Sequence, residues 1–272
     1  MKEDTGMTSQ TAKLPTGVTL EYALDGPPAA PVLCFVHGLG AAMEQFRPQA
    51  DYFAGDYRVL RLSLRGHGGS SAPARPTPEA YTPHVLAQDV QALLAHLDIE
   101  TLHYVGNSLG GLVGYELLEL GQPCLLSLTT FGTTAALHSP RLVYWTMVAT
   151  THLLGVKGVA ALIGKTATKD RAVGAQLQAM YRNATKDAPL LIARHIADYD
   201  YTATLRRAGL PLLLIQGALD KDINAALAST LAALDAALQG RVVPLDKAGH
   251  FANMEQSEAF NHILETFLTQ VS

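Results

Sequence analysis

One serine in this chain of 272 residues stands in a setting that could make it reactive. It is Ser108, in Gly106-Asn107-Ser108-Leu109-Gly110, which follows a β-rich run at 101–105 and precedes a helical run at 112–120. A strand that turns straight into a helix forces its corner residue into a strained backbone conformation. Side chains two positions before and after would collide there, so glycines are needed. G-x-S-x-G in that setting is a nucleophile elbow: the hydroxyl stands at the carboxyl end of a sheet, at a helix N-terminus that favours developing negative charge. Gly111 lets the helix approach the sheet.

A bare serine is a poor nucleophile and needs a base and an orienting acid. Chain order at elbows of this kind is serine, acid, histidine. His250, in Asp246-Lys247-Ala248-Gly249-His250-Phe251 directly after the run 241–245, is the candidate base, whereas His262 falls off the apolar stripe of the last helix and reads as solvated. The acid should follow the run 211–216, where the chain reads Gly217-Ala218-Leu219-Asp220-Lys221-Asp222. Asp220 lies nearer the strand end; Asp222 competes with it, and either could be an ordinary loop charge. An oxyanion hole needs backbone N–H groups aimed at the attacked carbonyl. Leu109 supplies one and Leu39, in His37-Gly38-Leu39-Gly40, supplies the other. His37 precedes the serine and reads as a residue that pins its loop. Together these groups would transfer an acyl group to water.

The elements around them alternate. Short β-rich runs at 20–24, 31–36, 57–64, 101–105 and 125–131 are separated by helical patterns, which argues for βαβ units and a mainly parallel sheet. Val85, Leu86, Val90, Leu93, Leu94 and Leu97 form one helical stripe, opened by Thr82 as N-cap and Pro83. From 133 to 205 the pattern is helical with no clear strand, broken at Pro140, Gly155, Gly158, Gly164 and Pro189. The runs 211–216 and 241–245 then restore the alternation, an Ala/Leu-rich helix spans 225–238, and Phe260, Ile263, Leu264, Phe267 and Leu268 mark the last helix. The expected organisation is an α/β core at 13–132 and 206–272, a helical cap at 133–205, and a flexible leader at 1–12.

Apolar residues at 48% and charged residues at 16% exclude a disordered chain, and a net charge of −4 argues against a nucleic-acid partner. The cap carries eight Lys/Arg against four Asp, a net of +4, which leaves −8 on the rest. Its apolar residues, among them Leu142, Val143, Trp145, Met147, Leu153, Leu154, Leu162, Ile163 and Met180, are expected to face the core or a substrate pocket. Cys34 and Cys124 are far from any metal-ligand spacing and read as buried free thiols, so no metal site is expected. No uninterrupted apolar stretch of about eighteen residues and no apolar signal core occur, so the expectation is a cytoplasmic protein without a membrane span.

His37-Gly38-Leu39-Gly40, Arg65-Gly66-His67-Gly68-Gly69-Ser70, the elbow with Gly111, Gly217-Ala218-Leu219-Asp220 and Gly249-His250 with Glu255 beyond it resemble, in order and spacing, the α/β-hydrolase fold superfamily. The resemblance covers nearly the whole chain outside the insert. It implies an eight-stranded, mainly parallel sheet flanked by helices, a helical cap after strand six, a Ser108–His250–Asp220 triad and no cofactor. Three positions depart from the family pattern: Ser63 in place of a frequent Asp, and Asn224 and Ser257 in place of frequent prolines. Asn224 is expected to leave the acid loop less rigid. Relatives that cleave epoxides or haloalkanes carry a carboxylate at the nucleophile position, so Ser108 points to an acyl enzyme instead. The expected activity is hydrolysis of carboxylic esters with small to medium, mostly apolar acyl groups. A C–C hydrolase of ring-cleavage products and a lactonase remain open with the same triad, as does a ligand-binding receptor of this fold.

Overall fold

Strands buried on both faces need no alternation of apolar and polar residues, because helix layers cover each side. Val32–Val36 and Leu212–Gly217 have that character, and in both the side chains nonetheless divide by parity between two cores. Cys34, Val36, Leu212 and Leu214 face one core; Leu33, Phe35, Leu213 and Ile215 face the other. The period of two of an extended chain thus builds both layers at once.

The computed structural model describes residues 9–121, 124–237 and 239–271. Its main sheet is built from β1 (Gln10–Lys13), β2 (Thr19–Asp25), β3 (Val32–Val36), β4 (Arg58–Leu62), β5 (Thr101–Asn107), β6 (Cys124–Phe131), β9 (Leu212–Gly217) and β10 (Gly240–Leu245). The order is β1-β2-β4-β3-β5-β6-β9-β10, with β1 and β2 antiparallel to their neighbours and the rest parallel. The helices are α1 (Arg47–Phe53), α2 (Pro83–His96), α3 (Leu109–Leu120), α4 (Arg141–Thr166), α5 (Arg171–Arg182), α6 (Ala188–Ala193), α7 (Thr202–Arg207), α8 (Lys221–Ala225), α9 (Ala228–Asp235), α10 (Ala252–Glu255) and α11 (Ser257–Val271). Helices α2, α3 and α9 cover one face; α1 and α11 cover the other. Thr82 accepts a hydrogen bond from Val85 N at 3.2 Å and so caps α2, with Pro83 at its first position.

Strand β3 lies between β4 and β5, so the sheet order reverses there and the carboxyl ends of β3 and β5 open side by side. Such a switch point leaves a crevice into which loops from both strands project. The loop after β3 carries Leu39 and the turn after β5 carries Ser108.

Four expectations are corrected. Residues 10–12, placed in the leader, belong with Lys13 to a strand, Gln10–Lys13, paired with β2, in which Ala12 faces the core; residues 1–8 lie outside the described set. The insert, expected to be free of strands, holds β7 (Ala136–His138) and β8 (Asp198–Asp200), an antiparallel ladder with Leu137 opposite Tyr199. Three-residue strands of mixed composition leave no periodic signal. The Ala/Leu-rich stretch 225–238 is helical only in α9 (Ala228–Asp235), with Ala225 closing α8, and Leu238 lies outside the described residues. Finally, Leu142, Val143, Trp145, Leu153, Leu154 and Leu162 face neither core nor pocket but solvent; Met147 and Ile163 are half-buried and Met180 is buried.

Candidate active site

Ser108 caps α3 with φ 50° and ψ −113°, a left-handed conformation that a non-glycine residue adopts only when its surroundings impose it. The glycines around it are sterically required. A Cβ at Gly106 would run into the Gly110 carbonyl, and one at Gly110 would run into Val36 O. The turn is held from outside as well: Ser108 N donates to Phe131 O at 2.9 Å, and the Tyr104 phenol donates to Gly110 O at 2.7 Å. Burial holds that phenol well above its ordinary pKa, so it stays a donor.

On the neighbouring loops, His250 Nδ1 lies 2.8 Å from Asp220 Oδ2. Asp220 is buried, whereas Asp222 sits exposed in the first turn of α8. The two aspartates left open by the sequence are therefore separated by geometry: only Asp220 touches the imidazole. Asn224, expected to loosen the acid loop, instead ties it down, since its Nδ2 donates to Gly217 O at 2.9 Å and its Oδ1 accepts from Gln216 at 3.1 Å. Glu255 accepts from Gly249 N and so braces the residue before His250. Gly132 lies against the imidazole, with its Cβ position 3.3 Å from His250 Cε1. Among the described residues no hydrogen bond joins Ser108 to the imidazole.

The loop after β3 rests on two buried histidines. Leu64 N donates to His37 Nε2 at 2.9 Å, so the ring proton must sit on Nδ1, which donates to Gly38 O at 2.7 Å. By the same reasoning Gly40 N donates to His67 Nε2 at 3.1 Å, and His67 Nδ1 donates to Arg65 O at 3.0 Å. Both rings are neutral in these roles. Burial, with the neighbouring His67 adding to it, pushes His37 from 6.5 down to about 3, and burial pushes His67 down to about 4. Between these braced residues Leu39 N is left without an acceptor among the described residues, as is the first N–H of α3 at Leu109. Ser63, which departs from the family pattern, donates to Glu21 Oε2 at 2.8 Å, and Gly69 N donates to the same oxygen at 2.7 Å. The carboxylate that the family pattern has just after β4 is supplied here by Glu21 of β2.

Five buried carboxamides, missed in the sequence, connect these loops. Gln45 Oε1 accepts from Gly38 N at 3.2 Å, while its Nε2 donates to Asn107 Oδ1 at 2.9 Å and to Asn253 Oδ1 at 3.2 Å. Asn107 Nδ2 donates to Phe131 O at 3.2 Å and to His250 O at 3.0 Å. Asn253 Nδ2 donates to Gln45 O and Gln49 Oε1, both at 2.9 Å, and Gln49 Nε2 donates to Asn253 O at 3.0 Å and Asn261 Oδ1 at 2.9 Å. One available signal was polar residues spaced four apart, at 45 and 49, on a face that otherwise buries Phe46, Ala50 and Phe53.

A cleft of about 1180 Å³ opens beside His250 and Asp220, between the α4–α5 junction and the acid and base loops. Leu219, Ile223 and Phe251 supply apolar wall; Lys165, Lys169, Arg171, Lys221 and Lys247 supply positive charge, and Asp170, Asp222 and Glu255 supply carboxylates. The described residues contain no group of three or more His, Cys, Asp or Glu placed to hold a metal.

The family model of the α/β-hydrolase fold matches residues 31–257, and the chain belongs to that family. It is a hydrolase of the α/β fold. Over 260 residues, 92% of this chain and 93% of the relative, it is 28% identical to 3-oxoadipate enol-lactonase 2 of Acinetobacter baylyi. Among solved structures, a hydrolase from Pseudomonas aeruginosa superimposes with a TM-score of 0.84 at 27% identity, covering 97% of this chain and 99% of that one. The enol-lactonase from Burkholderia xenovorans superimposes with a TM-score of 0.83 at 26% identity, covering 96% and 100%.

The neutral histidines make the fold acid-sensitive. Their folded pKa values, about 3 and about 4, lie below the ordinary 6.5, so the unfolded chain binds more protons between. The stabilisation is therefore complete above pH 6.5 and is lost as pH falls toward 4, by about 1.4 kcal/mol per pH unit for each ring. Urea unfolding followed from pH 7 to pH 4 should give that slope, and His67→Gln should be less stable at pH 7 but flatter by about one proton. Gln45→Leu leaves Gly38 N, Asn107 Oδ1 and Asn253 Oδ1 each short of a partner. At about 1–3 kcal/mol per unsatisfied buried group, it should lose at least about 3 kcal/mol, read from the urea midpoint.

Proposed function

We propose that this chain hydrolyses carboxylic esters with small to medium, mostly apolar acyl groups, through Ser108, His250 and Asp220. The observation that carries the reading is the Asp220–His250 bond on loops tied to the strained Ser108 turn. Ser108 Oγ attacks the ester carbonyl carbon and its proton passes to His250 Nε2. The carbonyl oxygen becomes an oxyanion that accepts from the N–H groups of Leu39 and Leu109. Asp220 keeps the Nδ1 proton in place and stabilises the imidazolium, which returns its proton to the departing alcohol. Water then repeats the sequence on the acyl enzyme and releases the acid.

The apolar wall of the cleft supports the acyl preference, because its five cations are exposed and screened within about 8 Å at physiological ionic strength. A lactone is the second reading, favoured by the enol-lactonase relative that matches over nine-tenths of both chains; ring opening uses the same steps on an internal ester. A cytoplasmic location belongs to the same proposal and is supported by Cys34, a buried free thiol whose pKa burial raises.

A panel of p-nitrophenyl esters and simple lactones tests the reading directly, since a ligand-binding receptor would show no turnover. Ser108→Ala should lower kcat by about a thousandfold or more with the fold intact, because members of such a unit act together. Retention of a tenth of wild-type kcat, with contamination excluded, would remove Ser108 from its role. Asp220→Asn should lose far more activity than Asp222→Asn, as only Asp220 reaches the imidazole. Equal losses would transfer the role.

A further inference from the structure

A helix on the surface of a globular protein normally turns its apolar stripe inward. The first part of α4 does the reverse. Leu142 is 74% exposed, Trp145 60% and Leu153 84%, and with exposed Ala149 they recur at helical spacing on one face. The threonine hydroxyls nearby are already satisfied: those of Thr146, Thr150 and Thr151 donate to the carbonyls of Leu142, Thr146 and Met147 at 2.8, 2.8 and 2.9 Å. Threonines bonded to their own helix lose little on leaving water. From 141 to 169 the sequence contains no Asp or Glu, and it carries Arg141, Lys157, Lys165 and Lys169.

Leu142–Thr166 is long and apolar enough by length and composition to cross a membrane. Its geometry argues for another placement. Gly155, at φ 63° and ψ 176°, breaks the helix, and the fourteen residues before it reach only about 21 Å, short of the roughly 30 Å of hydrocarbon in a bilayer. The part beyond Gly155 is held by the protein, with Val159 and Ala160 buried and Gly164 packed against the Gly174 backbone of α5. A short apolar helix with satisfied threonines and cations but no acids suits the headgroup region, where it lies in the plane of the surface. A second copy is the poorer occupant, since two caps of +4 would be brought together.

We propose that the exposed face of α4 docks this protein on an anionic lipid surface, with Leu142, Trp145 and Leu153 entering the headgroup boundary. Trp145 is the sole tryptophan of the chain and therefore reports on its own insertion. The full chain is mixed with vesicles of phosphatidylglycerol and phosphatidylcholine, or of phosphatidylcholine alone, and followed by co-sedimentation and tryptophan emission. Binding and a blue shift are expected with the anionic vesicles, weakening as salt is raised. Leu142→Glu combined with Leu153→Glu should weaken vesicle binding at least tenfold while far-UV circular dichroism and hydrolysis of a soluble ester stay unchanged. Lys157→Glu, an exposed change that removes no packing, should weaken it in the same direction. Failure of the wild-type chain to bind anionic vesicles at low salt would overturn the proposal, as would undiminished binding by the folded double variant. A doubling of mass by sedimentation equilibrium without lipid, abolished by the same double variant, would assign the face to a second copy instead.

Discussion

Carboxamides in a dry interior are costly unless every donor and acceptor is matched, and that constraint organises this molecule around Gln45 and Asn107. Each spends its donors and its acceptor on a different segment: Gln45 on the loop after β3, the elbow and α10, and Asn107 on β6 and the base loop. The loop after β3, the elbow and the loop carrying His250 are thereby fixed relative to one another, while Asn224 holds the loop carrying Asp220. The same residues explain why the strained φ of Ser108 persists, since the peptide preceding it is anchored on both sides. A carboxylate in place of either amide would lose donors and add an uncompensated charge, so the chemistry of the amide is specific to the position.

The charge distribution serves a separate task. The buried ionisable residues close to the candidate site are paired or neutral: Asp220 with His250, Arg65 with Asp89, His37 and His67 uncharged. The insert and the rim of the cleft carry a concentration of exposed positive side chains, among them Lys157, Lys165, Lys169 and Lys247.

Much of this was legible in the sequence because the relevant information is local. The elbow, the loop after β3 and the acid and base loops are each a handful of consecutive residues at a strand end, and their glycines mark positions that backbone geometry restricts. The N-cap of α2 was readable for the same reason. What was not legible depends on distance or on surroundings. Gln45 meets Asn253 across 208 positions, and neither residue type announces such a partner. Ser63 stood out as a departure from the family pattern because the carboxylate it meets comes from Glu21 on another strand. Asp220 and Asp222 lie two residues apart in the same loop, and burial and contact with His250, neither of which is local, separate them. The apolar residues of α4 were expected to be buried because apolarity favours burial, but burial also requires an opposing surface, which the first half of α4 lacks.

The ladder between β7 and β8 has a consequence for how such a chain can change. Paired strands run about 4.8 Å apart, so the polypeptide leaves the core at Ala135 and returns at Tyr201 almost at the point of departure, closed by the bond from Tyr201 N to Ala135 O at 2.7 Å. Everything between is a loop whose ends are already joined. Residues can be inserted, deleted or exchanged within it without altering the register of any strand in the main sheet. The insert is thus a graftable module: a lineage can explore new surfaces there while the main sheet and the loops at its strand ends are inherited whole.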